Sequence, residues 1–240
     1  TTRDTTVLEP LLLVIDTTFQ DSVSCNGLFD GTASVVASGG NGIYSYLWSD
    51  GQTTATASNL TAGTYNVTIT DQKGCFKDTS VTVLEPDALS VDTSFQDSVS
   101  CNGLFDGSAS ILGAGGNGIY SYLWSDGQTT STASNLTAGT YNVTITDQKG
   151  CFKDTSVTVL EPNVLEIDTT AQDTVSCNGL FDGSASVTVI GGNGIYSYLW
   201  SDGQTTDTAT TLSAGTYNVT ITDQNGCFID TSVTVFQKDF

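Results

Sequence analysis

The chain has 240 residues, with 26 acidic and six basic side chains and a net charge of −20. That balance excludes nucleic acid as a partner, because phosphate binding needs clustered Lys and Arg. There is no His, no Lys in the apolar segments and no Gly-rich loop leading into a helix, so the sequence reads as a non-enzyme.

A unit of 76 residues recurs three times. Cys25, Cys101 and Cys177 keep that spacing, as do Trp48, Trp124 and Trp200, and Cys75, Cys151 and Cys227. The first two copies differ at only 11 positions. One active site has no need of three near-copies of its scaffold, whereas length, reach and multivalency do. The expected domains are 11–86, 87–162 and 163–240. Residues 1–10 read as the end of a preceding repeat, because Thr5–Pro10 (TTVLEP) matches Val81–Pro86 (VTVLEP). The chain is therefore expected to be an excerpt of a longer array.

Within a repeat the pattern is β throughout, with period-two alternation and Gly at the turns. In the first strand Leu13 and Ile15 become Leu89 and Val91, then Leu165 and Ile167, while Val14 becomes Ser90 and Glu166. Only the odd positions stay apolar, which marks the buried face. Ala33 and Val35 point inward on the second strand, and Gly39-Gly40-Asn41-Gly42 is a hairpin turn. The third strand is Tyr44–Trp48. A polar edge strand is expected over Thr53–Ser58. The strand from Tyr65 to Ile69 follows a Gly-containing corner, as in the tyrosine corner of immunoglobulin-like sandwiches. Asp71–Gly74 is the next turn, and Cys75–Leu84 the last strand. This predicts an all-β chain: three small immunoglobulin-like antiparallel β-sandwich domains in tandem, with Trp48, Tyr65, Trp124, Tyr141, Trp200 and Tyr217 in their cores. The short, Pro-bearing connection at Glu85-Pro86 predicts an elongated, stiff rod. The longest apolar run, Leu11–Ile15, is far too short to cross a bilayer, so no direct membrane insertion is expected.

The segments Val23-Ser24-Cys25-Asn26-Gly27…Asp30-Gly31, Gly39–Gly51 and Leu60–Asp71…Gly74-Cys75 together resemble the SprB repeat, and all three copies carry them. Leu28-Phe29 and Ile43 depart from the usual pattern. The resemblance implies a segment of a giant cell-surface adhesin of Bacteroidota, exported by type IX secretion, forming extracellular filaments and in some species serving gliding motility. The competing reading is an array of binding modules for carbohydrate or another surface polymer, with avidity from repetition. Expected partners are neighbouring repeats of the same long chain, then surface polysaccharide or other filament chains.

Six cysteines at fixed positions point to disulfides and an oxidising compartment. Two pairings compete. Cys25–Cys75, Cys101–Cys151 and Cys177–Cys227 would close each repeat on itself. Pairing between neighbours, such as Cys25 with Cys151, would staple repeats together. The choice turns on how often the chain crosses the sandwich between Trp48 and Tyr65. Only sixteen residues separate them. That favours one crossing, and with it pairing within the repeat. Such pairing would bring Asp30 and Asp71 to one end of a repeat, likewise Asp106 and Asp147, and Asp182 and Asp223. With Asn26 and backbone carbonyls they would suit Ca²⁺. Ordinary Asp turn chemistry is the simpler and favoured reading, and no other cofactor is expected. Leu28-Phe29, Leu104-Phe105 and Leu180-Phe181 are apolar pairs in a Gly-flanked loop, expected to pack against the adjacent repeat. Thr17, Ser22, Ser98, Thr169, Thr174 and Thr208 follow Asp in a pattern that resembles the O-glycosylation signal of Bacteroidota.

Overall fold

The structure, a computed structural model, describes residue 9 and residues 11–238. The expected remnant of a preceding repeat, residues 1–10, lies outside the described residues apart from Glu9. Every regular element among the described residues is a β-strand. The first repeat forms β1 (Leu11–Asp21), β2 (Gly31–Gly40), β3 (Ser45–Trp48), β4 (Thr56–Leu60), β5 (Gly63–Thr70) and β6 (Phe76–Val83). The second forms β7 (Ser90–Asp97), β8 (Gly107–Ala114), β9 (Ser121–Trp124), β10 (Thr132–Leu136), β11 (Gly139–Thr146) and β12 (Phe152–Val159). The third forms β13 (Asn163–Asp173), β14 (Gly183–Gly192), β15 (Ser197–Trp200), β16 (Thr208–Leu212), β17 (Gly215–Thr222) and β18 (Phe228–Val235).

In the first repeat one antiparallel sheet has the order β1-β2-β4 and the other β3-β5-β6. The third repeats that order as β13-β14-β16 and β15-β17-β18, and the second has β10-β8-β7 and β12-β11-β9. The alternating residues of the two sheets meet in the core. Ala33, Val35, Ala57 and Leu60 from one sheet pack on Trp48, Val67, Ile69, Val81 and Val83 from the other. Each large aliphatic buried this way contributes about 1.5–3 kcal/mol. Trp48 is fully buried, and its indole N–H donates to the Thr54 carbonyl at 2.8 Å, so the one polar atom on the ring is satisfied. The Tyr65 hydroxyl donates back to the Thr61 carbonyl at 3.2 Å, and Tyr141 and Tyr217 do the same to Thr137 and Ser213. These are tyrosine corners. The fold is an immunoglobulin-like antiparallel β-sandwich, as the sequence predicts.

One expectation is overturned. β2 runs from Gly31 to Gly40, and β4 ends at Leu60, opposite Gly31. β5 starts at that same end, with Gly63 opposite Val83, and finishes with Thr70 opposite Ser45. From Trp48 the chain turns back at Gly51, whose N–H bonds the Trp48 carbonyl at 2.9 Å. It runs outward without regular structure and returns along β4. The connection is a short leg out and a short leg back, not one crossing. Sixteen residues suffice because the return leg is only five residues long and the outward leg is not a strand. The loop holding Cys25 therefore sits at the end marked by Gly31, Leu60 and Val83, where the Val23 N–H bonds the Leu84 carbonyl at 3.0 Å. The Asp71–Cys75 turn sits at the other end, where the Asn41 N–H reaches Asp71 at 2.9 Å.

The chain packs as two compact units that do not follow the repeat boundaries. One comprises Thr1–Asp92, Gly113–Tyr122 and Thr144–Asp154, and the other Thr93–Leu112, Leu123–Val143 and Thr155–Phe240. Each unit holds one junction between consecutive repeats.

Asn59 and Asn135 take a left-handed backbone at φ 54° just before the end of their strands, and the third repeat puts Thr211 there at φ 61°. Asn tolerates this conformation; a β-branched side chain does not. Thr211→Asn is expected to raise the stability of the third repeat by about 1 kcal/mol. The denaturant midpoint reads this, and an unchanged or lower midpoint would show that Thr211 bears no strain.

Candidate functional site

Each repeat buries one carboxylate at the turn before its last strand: Asp71, Asp147 and Asp223, all 5% exposed. An acid placed there must be fully hydrogen-bonded, because an unpaired buried charge is costly. In the second repeat one oxygen of Asp147 accepts the N–H groups of Lys149 at 2.8 Å and Cys151 at 3.0 Å. The other accepts both the backbone N–H of Asn117 at 2.8 Å and its side-chain amide at 2.9 Å. Four donors fill the four lone-pair positions of the carboxylate. The Gly39–Gly42 turn and its equivalents pass from one sheet to the other and do not form the expected hairpin. In the second repeat this turn supplies Asn117 because Gly116 holds φ +56°, and a Cβ there would lie 2.6 Å from the Asp147 carboxylate. The same set surrounds Asp71, formed by Asn41, Lys73 and Cys75. The Asn41 side-chain amide is the leading cause that holds the Asp71 carboxyl down to about 2 against the opposing effect of burial, with the three backbone N–H groups adding to it. At Asp147 and Asp223 burial is the largest influence and pushes the value up; the N–H bonds together outweigh it, so both stay below the ordinary carboxylate value.

At the opposite end of a repeat Asp30 shapes the cysteine loop. It accepts the Ser24 N–H at 2.9 Å and the Ser24 hydroxyl at 2.5 Å, and these bonds lower its pKa. Asn26 and Gly27 tie the same loop to the exit of their own repeat, through the Pro86 carbonyl at 3.1 Å and the Glu85 carboxylate at 3.0 Å. The loop of the first repeat then meets the Asp147 cluster of the second. The Asn117 amide, already bonded to Asp147, donates its second proton to the Ser24 carbonyl at 2.8 Å. Beside it Cys25 is joined to Cys151, with Cα atoms 5.6 Å apart. The other unit repeats the arrangement: Asn193 bonds the Ser100 carbonyl at 2.8 Å and Cys101 is joined to Cys227.

The pairings Cys25–Cys75, Cys101–Cys151 and Cys177–Cys227 are thus corrected to Cys25–Cys151 and Cys101–Cys227, with Cys75 and Cys177 free and exposed. The reason is the outward-and-back connection, which puts Cys25 and Cys75 at opposite ends of one sandwich and Cys177 and Cys227 at opposite ends of another. Asn41, Asn117 and Asn193 are site residues that sequence reasoning misses. Their only signal there is an unvarying Gly-Gly-Asn-Gly in all three copies.

The SprB repeat family matches the sequence at residues 17–53, 93–129 and 169–205. The chain carries three tandem SprB repeats. No curated protein matches it in sequence. Among solved structures, extracellular domains 3–5 of Drosophila OTK are 12% identical, covering 95% of this chain and 97% of that one at a TM-score of 0.33. The N-terminal eight Ig domains of Down Syndrome Cell Adhesion Molecule are 12% identical, covering 90% of this chain and 34% of that one at 0.32. SGBP-B of the Bacteroides ovatus mixed-linkage glucan utilization locus, in complex with a heptasaccharide, is 16% identical, covering 90% of this chain and 65% of that one at 0.22.

The remaining expected site residues of the SprB repeats separate into buried and exposed sets. Trp48, Trp124 and Trp200 are buried, and Tyr65, Tyr141 and Tyr217 are half-buried. Leu28 and Leu104 stand beside a junction at 43% exposure, the same as Leu180 in the third repeat at 44%, and Phe29, Phe105 and Phe181 are equally exposed. The adjacent repeat therefore does not bury these pairs, contrary to the expectation, because the junction is made by the Ser24-Cys25 side of the loop. Asp30 and Asp71 lie at opposite ends of their sandwich, as do Asp182 and Asp223. The two-carboxylate end required for calcium does not form in these repeats. Asp106 is held by Ser100 as Asp30 is by Ser24. No group of three or more His, Cys, Asp or Glu with metal-binding geometry occurs among the described residues. Thr17, Ser22, Ser98, Thr169 and Thr174 are exposed, and Thr208 is half-buried.

Two measurements check the site. Peptide mapping of the alkylated, unreduced protein is expected to recover Cys25 joined to Cys151 and Cys101 joined to Cys227, with Cys75 and Cys177 alkylated. Recovery of Cys25 joined to Cys75 would reverse the assignment. The depressed pKa of Asp71 means that folding favours its ionised form. Its contribution is complete above about pH 4 and is lost as pH falls toward 2. Thermal melting between pH 5 and 2 is expected to drop steeply, and to drop less steeply in an Asp71→Asn, Asp147→Asn, Asp223→Asn variant that is already less stable at pH 7. Equal slopes would show that the buried acids do not set acid stability.

Proposed function

We propose that this chain is a structural, adhesive segment of an extracellular surface filament, in which SprB repeats act as a covalently reinforced tether. One observation carries the reading: consecutive repeats are joined twice, by the peptide at Glu85-Pro86 and by the Cys25–Cys151 disulfide, and the second junction is built the same way. The disulfides span 126 residues each, and their loops overlap between Cys101 and Cys151. A cut anywhere between Cys25 and Cys227 leaves the two pieces linked. Closing a loop of this length removes chain entropy worth roughly 5 kcal/mol in the unfolded state. Leu28 and Leu104 beside the junctions stay as exposed as Leu180, so each junction rests on its disulfide and on the amide bonds beside it, Asn117 to Ser24 in one and Asn193 to Ser100 in the other.

Disulfides of this kind persist in an oxidising compartment, which supports a place outside the cell. The acidic, sparsely basic surface keeps repeated units mutually repelling and soluble. No helix of the described residues is long and apolar enough to cross a membrane. The finer reading is a giant adhesin of the gliding-associated type in Bacteroidota, exported by type IX secretion. It extends from SprB family membership, with neighbouring repeats as the main partners and surface polysaccharide or other filament chains as further ones. The exposed Thr17, Ser22, Ser98, Thr169 and Thr174 are proposed sugar-attachment positions on that filament.

Pulling single molecules by their termini tests the tether. Under oxidising conditions the chain between Cys25 and Cys227 is expected to stop extending well short of its full contour. Added reductant is expected to release unfolding steps of one 76-residue repeat, each roughly 200–250 Å. Full extension without reductant would remove the tether reading.

A further inference from the structure

The loops that carry Cys25 and Cys101 each hold an Asn-Gly pair, and both pairs are bonded in the same way. In the first repeat the Gly27 N–H donates to the Glu85 carboxylate at 3.0 Å, and the Asn26 side-chain amide donates to the Pro86 carbonyl at 3.1 Å. In the second, the Gly103 N–H donates to the Glu161 carboxylate at 3.1 Å and the Asn102 amide to the Pro162 carbonyl at 3.0 Å. Asn26, Gly27, Asn102 and Gly103 are all exposed to water. Gly27 and Gly103 hold φ +78° and +79°, and a Cβ on either would meet nothing within 4 Å, so the space beside each pair is open. Asn225-Gly226 offers a contrast within the same chain. It is equally exposed, with φ +88° at Gly226, but its Gly N–H donates to the Asp223 backbone carbonyl at 3.1 Å. A peptide carbonyl is a far weaker base than a carboxylate.

We propose that Asn26 and Asn102 are self-modification sites, at which the Asn-Gly pair closes to a succinimide and reopens as aspartate or isoaspartate, with Glu85 and Glu161 as the bases. The Glu85 carboxylate takes the Gly27 N–H proton as that nitrogen attacks Asn26 Cγ, and the new C–N bond forms. The bond from Cγ to Nδ2 then breaks, and Nδ2 leaves as ammonia with the proton that Glu85 took up. Water next adds to one of the two imide carbonyls. Opening at Cγ restores the normal backbone as aspartate; opening at the main-chain carbonyl gives isoaspartate. One amide and one water become one acid and one ammonia, and nothing is oxidised or reduced. The product cannot donate to the Pro86 carbonyl, and its new negative charge faces that of Glu85. Isoaspartate also adds one carbon to the main chain directly after Cys25. The cysteine loop thus loses its Asn26 tie to the exit of its own repeat, while the Cys25–Cys151 bond stays in place. This inference goes beyond the tether reading and does not rest on it, because the chemistry needs only the loop and its acid.

The test is incubation of the intact, disulfide-bonded chain in neutral buffer over weeks, with peptide mapping at intervals. Mass reads the exchange of amide for acid, and enzymatic isoaspartyl methylation separates isoaspartate from aspartate. Asn26 and Asn102 are expected to convert about tenfold faster than Asn225, the advantage of a positioned base over a peptide carbonyl. Glu85→Gln keeps an oxygen to accept the Gly27 N–H but takes up no proton. It is expected to slow Asn26 about tenfold and leave Asn102 unchanged, and Glu161→Gln to do the converse. Two results would overturn the proposal. One is conversion of Asn225 as fast as Asn26 in the unaltered chain, a comparison that needs no variant to fold. The other is a Glu85→Gln chain with an unchanged melting curve in which Asn26 converts at the same rate or faster, which would make Glu85 a restraint on the loop and not a base. Either result with an intact response to pulling would leave the tether reading standing and remove only the modification.

Discussion

The return leg between β3 and β5 is the constraint on which the rest of this molecule depends. It makes the number of passes between β3 and β5 even, and that parity decides which end of the domain receives each loop. Had the chain crossed once, the cysteine loop and the Asp71 turn would share an end, and each repeat would seal itself. Because it goes out and comes back, the two are placed at opposite ends and can bond only with a neighbour. A connection of 14 residues, five of them in β4, thereby turns three sandwiches into a cross-linked series.

The junction relies on polar order and covalent chemistry more than on apolar contact. The buried aspartates show why this works. Asp147 absorbs four N–H donors and fixes Asn117, and the fixed amide has one proton left, directed at the Ser24 carbonyl of the repeat before it. A carboxylate that is internally satisfied makes a poor cation site but a good template. It holds the Cys151 N–H in the same cluster, which sets the sulfur beside its partner. Apolar side chains around the junction, such as Leu28 and Phe152, are as exposed there as Leu180 is in the third repeat and Phe76 in the first. Reduction is therefore a direct lever on the junction while leaving each sandwich core in place.

Differences between the copies fall away from this machinery. Ser24, Cys25, Asp30, Asn41, Asp71 and Cys75 recur unchanged in all three, whereas Val14 becomes Ser90 and Glu166, and Phe19 becomes Phe95 and Ala171, on exposed strand faces. Lys73, Lys149 and Asn225 occupy one turn position, and each uses its backbone N–H to bond the buried acid; in the third repeat the Asn225 side-chain amide also reaches the Ser100 carbonyl at 3.4 Å. The compact units bracket the junctions and cut through the second repeat, which is consistent with the stapled junctions holding residues of neighbouring repeats together.

The amino-acid sequence alone determined the repeat period, the all-β class, the inward faces at Ala33 and Val35, the buried tryptophans and the tyrosine corners. All of these are local or period-two signals, set by which side chains leave water and which turns tolerate a positive φ. The partners of the cysteines, the role of Asn117 and the separation of Asp30 from Asp71 were decided only by the tertiary structure. Each depends on the direction of a distant strand, and that direction follows from how many times an irregular segment crosses a sandwich. Composition and spacing carry no record of that number, because sixteen residues are enough for either one long pass or two short ones.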